Sequence, residues 1–296
     1  MFQNLFSRSG FSMERLASFC TVADAGSIAR VADKDPTRQS LISRQIRELE
    51  TFFGVELVRR KGRGLELTEA GRELAAVGRE NFKGLADFAA RCEGAPWTVR
   101  MVASNSVAYW LVLPRLKRLE KACPKIRFEI YHEQTREIVT TTREGTYDIA
   151  FVHEDSLDSG LKKTVLGSVG HSVLVPKSLS RKAPTDLTGL ARVPMALPIG
   201  GRMRSLMDDL AAKAGITLQV AVGCSSYLQA AQLLESGMCA TVLPDLALAS
   251  FEATRFHRFP IPYRYRLCLA WSARAADTRP ALARLIGQCG KAMLIE

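Results

Sequence analysis

Residues 13–72 constrain the fold of this chain more than any other segment, because they predict two short apolar helices in close succession. The first helix is indicated by apolar residues spaced along one helical face: Leu16, Phe19, Val22 and Ala23. Gly26 is placed to end that helix, and Ser27 is a candidate cap for the second. The second helix has its apolar side at Ile28, Val31 and Ala32. Asp35-Pro36 then predicts a break before a third helix, whose first turn tolerates the proline.

This third helix combines an apolar side with a polar one. Four apolar residues recur at helical spacing and are predicted to face the core: Ile42, Ile46, Leu49 and Phe53. The opposite side is predicted to expose polar residues: Gln39, Ser40, Ser43, Arg44 and Arg47. Arginine and glutamine make paired hydrogen bonds to base edges in the major groove of DNA. The pattern favours a helix-turn-helix, although a solvated polar face is the alternative for an isolated helix.

A basic, glycine-rich hairpin is predicted directly after the third helix. Apolar residues at 57–58 and at 65 and 67 suit two short strands. The loop between them carries closely spaced cations: Arg59, Arg60, Lys61 and Arg63. Such a wing can lie along the DNA backbone, where cations release counterions and give affinity independent of base sequence. The alternative is a solvated hairpin tip, but the adjacent arginine and glutamine helix favours a wing.

Together these elements resemble the winged helix-turn-helix of LysR-type transcriptional regulators. Four motifs carry the resemblance, in unbroken order from Met13: Ala-Gly-Ser at 25–27, Ser-Arg-Gln-Ile-Arg-Glu-Leu-Glu at 43–50, Gly-Val-Glu-Leu at 54–57 and Leu-Thr-Glu-Ala-Gly at 67–71. The resemblance and the exposed pattern together give a set of predicted DNA contacts: Ser27, Arg38, Gln39, Ser40, Ser43, Arg44, Arg47, Arg59, Arg60, Lys61 and Arg63.

The chain departs from the family pattern at the start of the predicted recognition helix. Asp35 stands where the family usually has leucine, and Arg38-Gln39-Ser40 replaces its Ser-Gln-Pro. Gln39 and Arg44 still match contact positions of the family. Arg38 and Ser40 indicate an altered base preference, so no operator sequence follows from the resemblance.

A long helix is predicted from Glu69 to about Cys92. One narrow stripe carries most of its apolar residues and one asparagine: Leu74, Val77, Asn81, Leu85, Phe88 and Cys92. A narrow stripe suits a helix–helix seam, and a single asparagine can fix its register. The alternative is packing on the chain's own domain. The resemblance implies a linker helix that forms a homodimer, or a homotetramer, and so presents two recognition helices to near-palindromic promoter DNA.

From Trp97 onward, predicted strands alternate with predicted helices, which implies an α/β fold with a parallel sheet. The strands are predicted at 98–103, 126–131, 148–152, 172–175, 194–197, 218–222 and 240–243. The helices are predicted at 107–122, 135–143, 204–214 and 227–235. Arg-Glu-Gly-x-x-Asp-Ile-Ala at 143–150 and Ser-Gly-Met-Cys-Ala-Thr-Val-Leu-Pro at 236–244 resemble motifs of the LysR effector-binding half, although Cys239 replaces a family glycine.

This second resemblance implies an effector-binding domain of periplasmic-binding-protein type. The implied organisation is an N-terminal extension at 1–12, a DNA-binding domain at 13–68, a linker at 69–95 and an effector-binding domain at 96–296. Within the last, subdomain I covers about 97–161 and 266–296, and subdomain II about 162–265. Two strands are expected to cross between the subdomains as a hinge.

A small-molecule effector is expected in the cleft between the two subdomains. The expected residues follow strand ends or begin helices: Ser104, Asn105, Thr135, Pro198, Ile199, Gly200 and Ser226. Helix N-termini offer free N–H groups, which favours an anionic or carbonyl-bearing effector. Arg202 and Arg204 can pair with a carboxylate, although solvated arginines are the alternative. Each hydroxyl can equally be a helix cap, which is the alternative to a binding role.

Charge, hydropathy and cysteine content further restrict the class of protein to which the chain can belong. The net charge is +11, but acidic and basic residues nearly cancel over residues 1–95, so the charge indicates general attraction to polyanions. No apolar stretch suits a membrane span and no signal peptide is evident, so a cytoplasmic location is expected. The seven cysteines form no Cys-x-x-Cys pair, which favours reduced, buried thiols over a redox sensor at Cys224 and Cys239.

Rival functions find little support in these motifs. The four histidines lack metal-ligand spacing, so no metal or cofactor is expected. No nucleophile elbow, phosphate loop or dinucleotide motif supports an enzyme, and the missing signal peptide and the predicted DNA-binding head argue against a solute-binding transport component. RNA polymerase is a candidate partner of a regulator of this kind.

Overall fold

The N-terminal head is a three-helix unit with a small hairpin. The structure, a computed structural model, describes residues 9–61 and 64–295. The head comprises α1 (Met13–Ala25), α2 (Ile28–Val31), α3 (Pro36–Phe53), β1 (Val58–Lys61) and β2 (Gly64–Leu67). Gly26 ends α1 in a left-handed conformation, and Ser27 caps α2, as predicted. Asp35 caps α3, with its carboxylate accepting from Thr37 N–H.

The core of the head contains most of the residues predicted for it, but Phe53 is an exception. Phe53 is 38% exposed, whereas its neighbour Phe52 is 6% exposed, so the prediction for Phe53 was wrong. The last turn of α3 packs against Phe11, whose ring centroid lies 5.6 Å from Phe52 and 6.1 Å from Phe53. Phe52 is enclosed there, while Phe53 remains on the rim. Phe11 and Ser12, the cap of α1, therefore take part in the head, and residues 1–8 lie outside the described part.

A linker helix, α4 (Glu69–Cys92), follows the hairpin with the predicted bounds. Its first half lies directly on the head. A Cβ atom on Gly71 would lie 2.0 Å from the Leu57 carbonyl oxygen, and one on Gly78 would lie 2.5 Å from Cys20 Sγ. Only glycine fits these two approaches, so the helix and the head pack as one body.

The effector half is built on one mixed sheet. Among the described residues it has eight strands in the order β4-β3-β5-β10-β6-β9-β7-β8. Their bounds are β3 (Trp97–Ala103), β4 (Ile126–His132), β5 (Ile149–His153), β6 (Lys162–Pro176), β7 (Met195–Pro198), β8 (Val220–Cys224), β9 (Ala240–Pro244) and β10 (Phe256–Trp271). β3, β4 and β5 pair in parallel at one end, and β7, β8 and β9 do so at the other.

The prediction of a purely parallel sheet was therefore incomplete. The long strands β6 and β10 pair antiparallel with each other through the middle of the sheet. The strand predicted at 172–175 is only the last part of β6, whose first residues are exposed and carry no apolar run. These two strands cross from one parallel group to the other, as expected for the hinge.

Helices cover both parallel groups. They are α5 (Asn105–Val107), a π-helical turn (Ala108–Val112), α6 (Leu113–Ala122), α7 (Thr135–Arg143), α8 (Arg202–Lys213), α9 (Tyr227–Glu235), α10 (Ala273–Thr278) and α11 (Pro280–Ala292). The helices predicted at 135–143 and 227–235 have those bounds. Separate apolar cores lie at the two ends of the sheet, with Met101 buried in one and Met195 in the other. Among the described residues, no helix has both the length and the apolar character needed to cross a membrane.

Candidate DNA-binding surface and effector cleft

The predicted base-reading residues lie on the N-terminal half of α3. Arg38, Ser40 and Arg47 are exposed, while Gln39 and Ser43 are half-buried. Arg44 keeps 71% of its side chain exposed, and its Nε lies 3.6 Å from Glu48 Oε1. A pair this exposed contributes little to stability, so the guanidinium remains available to a ligand. Ser27 is half-buried, and its hydroxyl accepts a hydrogen bond from Arg30 N–H at 3.4 Å.

The wing forms as predicted, by antiparallel pairing of β1 with β2. The Leu65 N–H donates to the Gly26 carbonyl oxygen at 3.1 Å, which ties the wing to the turn before α2. Arg59 and Arg60 are exposed, and Arg59 Nε lies 2.6 Å from Glu56 Oε2. Arg63 and the side chain of Lys61 lie outside the described residues. The fold thus brings the recognition helix and the wing together on the head.

A cavity of about 770 Å³ opens between the two halves of the sheet. Four of the predicted effector residues line it: Ser104, Asn105, Thr135 and Ser226. Pro198, Ile199 and Gly200 are not among the described residues that line it. Ile199 is 69% exposed, and its N–H donates to the Cys224 carbonyl oxygen at 3.0 Å. Arg202 and Met203, at the start of α8, line the cavity instead.

The hydroxyl groups in this cleft differ in how they are used. Ser226 caps α9 and accepts from the Gln229 N–H at 3.3 Å, as the capping alternative predicted. Ser104 makes no capping hydrogen bond, and its Oγ lies 3.4 Å from Ser106 Oγ. Thr135 is the first residue of α7. Gln134, the N-cap residue of this helix, makes no side-chain capping hydrogen bond. Ser104 therefore has more capacity for a ligand than Ser226.

The sequence reasoning missed an aromatic wall in the cleft. Its members are two histidines and three tyrosines: His153, His171, Tyr227, Tyr263 and Tyr265. The His153 and Tyr265 rings stack with centroids 3.7 Å apart, and His171 meets Tyr263 edge-on at 5.0 Å. Four of these residues lie on β5, β6 and β10, so their meeting depends on long-range strand pairing. The only local signal was the Tyr-x-Tyr pair at 263–265, with alternate residues on one face.

Burial keeps four members of the wall uncharged near neutral pH: His153, His171, Tyr227 and Tyr265. Burial lowers the pKa of His171 to about 4, and burial together with the charge of Arg202 lowers the pKa of His153. Burial raises the pKa of Tyr227 and of Tyr265 above the ordinary range. The positive charges of the cleft come from Arg136 and Arg202, and Glu133 and Glu137 supply negative ones.

Comparison with known proteins agrees with this geometry. A family model described as "Bacterial regulatory helix-turn-helix protein, lysR family" matches residues 13–72, and one described as "LysR substrate binding domain" matches residues 94–293. A probable hydrogen peroxide-inducible genes activator of Mycobacterium leprae is 26% identical, over 92% of each chain. The regulator BbuR of Bordetella bronchiseptica is 28% identical, over 78% of this chain and 73% of BbuR.

Solved structures share the fold. Full-length OxyR from Pseudomonas aeruginosa matches with a TM-score of 0.64 and 17% identity, over 95% of this chain and 97% of OxyR. Full-length CbnR in complex with its target DNA matches with a TM-score of 0.51 and 22% identity, over 96% and 100%. These proteins are regulators and not enzymes. The chain therefore belongs to the LysR family of transcriptional regulators, with a DNA-binding head and an effector-binding domain.

Proposed function

We propose that α3 reads promoter DNA through Gln39, Arg44 and Arg47, with Arg38, Ser40 and Ser43 setting the base preference. The observation that carries this proposal is the placement of these exposed or half-buried groups on one capped helix beside the wing. Ser27 and the wing cations, Arg59 to Arg63, contact the phosphate backbone and fix the position of α3 in the groove. The domain bounds proposed from the sequence, 13–68, 69–95 and 96–296, assign all of these contacts to the head.

The chain acts as a homodimer through α4, or as a homotetramer built from such dimers. The support is the stripe predicted as a seam, part of which is not covered within the chain: Leu85 is 57% and Phe88 60% exposed. Asn81 is also exposed and donates to the Val77 carbonyl at 2.8 Å. Large exposed apolar side chains in one row suit a helix–helix interface. The protein acts in the cytoplasm, where it reaches promoter DNA and RNA polymerase.

The effector is a small anionic or carbonyl-bearing molecule held in the cleft. Ser104, Asn105, Thr135 and Ser226 supply polar contacts from the lining of the cavity, and Pro198 to Gly200 shortly precede Arg202, which also lines it. Three helices begin at this cavity, α7, α8 and α9, and their N-terminal N–H groups favour an anion. Arg202 adds a full positive charge beside Tyr263.

The buried cysteines of this chain argue against a redox response like that suggested by the name of its mycobacterial relative, a probable hydrogen peroxide-inducible genes activator. A sensing cysteine requires an accessible thiolate, which a low pKa provides. Here burial raises the pKa of Cys20 to about 11 and of Cys289 to about 12. Burial also raises the pKa of Cys224 and Cys239, the candidate redox pair. These buried thiols favour packing over redox chemistry.

The DNA-binding proposal is tested by fluorescence anisotropy of the purified protein with DNA from upstream of its own coding sequence, against scrambled DNA, over a range of salt. We expect preference for the upstream DNA and its loss in the double variant Gln39→Ala, Arg44→Ala. The matched control is Lys117→Ala, Arg118→Ala, which removes exposed cations from α6 and should keep the preference.

Three outcomes would count against the proposal. Equal, steeply salt-dependent binding to both DNAs would mean phosphate attraction alone at this site. Absence of binding at low salt would contradict DNA binding by the head. A preference that survives the double variant would move base reading away from α3.

A further inference from the structure

The Arg-Glu-Gly-x-x-Asp motif at 143–148 has no place in either proposed binding site. It lies between α7 and β5, on the side of the effector half that faces the linker helix. Three carbonyl or carboxylate groups of this loop accept hydrogen bonds from α4: the carbonyls of Glu144 and Gly145, and the carboxylate of Asp148. The motif is therefore a contact between the effector half and the linker helix.

Arg79 connects three parts of the molecule with one side chain. Its Nη1 donates to the Glu144 carbonyl at 2.7 Å, and its Nε donates to Asp24 Oδ1 on α1 at 2.8 Å. Only 11% of this side chain is exposed. Because Arg79 itself lies on α4, it joins the head, the linker helix and the effector half.

Lys83, one turn further along α4, makes the second contact. Its Nζ donates to the Gly145 carbonyl at 2.8 Å and to Asp148 Oδ1 at 2.7 Å. Gly145 has a φ of +74°, and a Cβ atom there would lie 2.7 Å from Glu80 Oε1. The left-handed turn and the absence of a side chain let the loop approach the helix closely enough for both bonds.

A buried ionic cluster lies beneath these contacts. Arg279, at the start of α11, is 1% exposed and donates to Asp148 Oδ1 at 2.5 Å and to Asp87 Oδ2 at 2.7 Å. Glu80 is also 1% exposed, with its oxygens 3.6 Å from Lys83 and 3.8 Å from Arg279. Buried charges of this kind hold their partners in one geometry, because separating them leaves a charge without compensation.

Strand β5 connects the motif to the cleft. Asp148 precedes β5, and His153 at the other end of β5 lines the effector cavity. β5 pairs with β3 and with the crossing strand β10, so it moves with the subdomain that contains it. A shift of this subdomain is therefore passed to the loop that holds α4.

We propose that Arg79 and Lys83, with their acceptors on residues 144–148, form a linker clamp that fixes the DNA-binding head to the effector half. The clamp is the contact through which the state of the cleft sets the position of the head. This last part rests on the proposed function of the cleft, whereas the clamp itself is independent of it. The segment of α4 from Glu69 to Arg79 spans about 15 Å, so a rotation at the clamp displaces the head that packs on it.

The clamp is tested by pulsed electron paramagnetic resonance on the full chain, without DNA or effector. Spin labels on noncanonical residues at Thr51 of α3 and Lys117 of α6, both exposed, report the distance between head and effector half. Labelled chains are diluted with unlabelled chains of the same variant, so that distances within one chain dominate. We expect one narrow distribution for the parent chain. Arg79→Met, Lys83→Met should broaden or shift it.

The matched control is Arg143→Met, which lies in the same motif. The Arg143 guanidinium pairs with Asp158 at 2.6 Å, within the effector half, so this variant should keep the narrow distribution. Circular dichroism verifies folding, and Arg79→Gln alone replaces the double variant if the latter does not fold. A distribution unchanged in the folded clamp variant overturns the clamp. Since the measurement needs no DNA, a failure of DNA recognition in the anisotropy assay is a separate result.

Discussion

Two regions of this regulator use the same charged residue types in opposite environments. On the head, Arg44 is exposed and pairs with Glu48 of the same helix. Arg59 is also exposed and pairs with Glu56, three residues before it. At the junction of α4 with the effector half, Arg279 and Asp148 are 1% exposed. Water and salt screen the first set, so its charges are free to meet phosphates and bases. The second set is shielded, so it holds the domains in register.

The difference shows how one chain separates binding from positioning. Burial alone would raise the pKa of Asp148, but the charges of Lys83 and Arg279 outweigh it and leave that pKa below its ordinary value. The carboxylate is thus charged whenever the junction is assembled. Removing an exposed arginine should change DNA binding and leave stability unaffected, whereas removing a buried one should lower stability.

The largest effect is expected for Arg279→Met. This variant leaves Asp87 and Asp148 buried without their shared cation, which should cost about 3–5 kcal/mol of unfolding free energy. Urea unfolding monitored by circular dichroism measures the loss. Arg59→Met, which breaks an exposed pair of similar length, is the control and should leave the unfolding free energy near that of the parent chain. Equal losses in the two variants would remove the distinction between the regions.

Arg44→Ala should act in the opposite way. Loss of a paired contact to a base should weaken binding to the preferred site by about 1–3 kcal/mol, while binding to scrambled DNA changes less. Its unfolding free energy should stay near that of the parent chain, because the side chain is 71% exposed. Anisotropy and urea unfolding on the same preparation test both halves. An equal loss on both DNAs would make Arg44 a phosphate contact.

The sequence predicted the head well because its signals are local. Helix caps, apolar spacing and the basic turn all lie within a few residues of the elements they specify, as Gly26 and Asp35 illustrate. The same holds for Thr135 and Ser226, which follow strands and begin helices at the cleft. The prediction for Phe53 was wrong because the spacing of apolar residues alone does not show where the core ends along a helix.

Local sequence patterns did not predict the junction between α4 and the effector half, or the aromatic wall. Arg279 and Asp87 are separated by 192 positions, so no local pattern links them. His171 and Tyr265 meet because β6 and β10 pair in the middle of the sheet, and Gly167 and Gly170 interrupt the apolar pattern of β6. Long-range pairing decides which polar residues become buried, and no local sequence pattern reveals that pairing.

Glu80→Gln should produce a smaller, pH-dependent change at the junction. Burial raises the pKa of Glu80, and Lys83 offsets this only in part, with Asp148 and Arg279 also facing the carboxyl. A raised pKa means that the protonated form is favoured in the folded chain, so wild-type stability falls as pH rises above the ordinary carboxyl range. The glutamine variant should therefore gain stability relative to the parent as pH rises.

Unfolding free energies of both chains at a series of pH values test this. The gain should be absent below about pH 4, where the carboxyl is protonated in folded and unfolded chains alike.

Gln229→Glu, which changes an exposed capping residue, is unsuitable as a control because it alters α9. Glu129→Gln is the better control, since its carboxylate is accessible and its pKa is lowered by hydrogen bonds to Tyr131 and Arg100. Its pH trend should have the opposite sign.

The smallest effect is expected for Arg60→Ala, which tests the part of DNA binding by the head that does not depend on base sequence. Arg60 is exposed on β1 of the wing, so its loss should leave unfolding free energy unchanged. If it contacts one phosphate, the slope of log binding constant against log salt should fall by about 0.9, equally for preferred and scrambled DNA. Arg118→Ala on α6 removes one exposed cation away from the head and should leave the slope unchanged. A lowered slope in both variants would assign the effect to net charge, and an unchanged slope in both would remove Arg60 from the DNA interface.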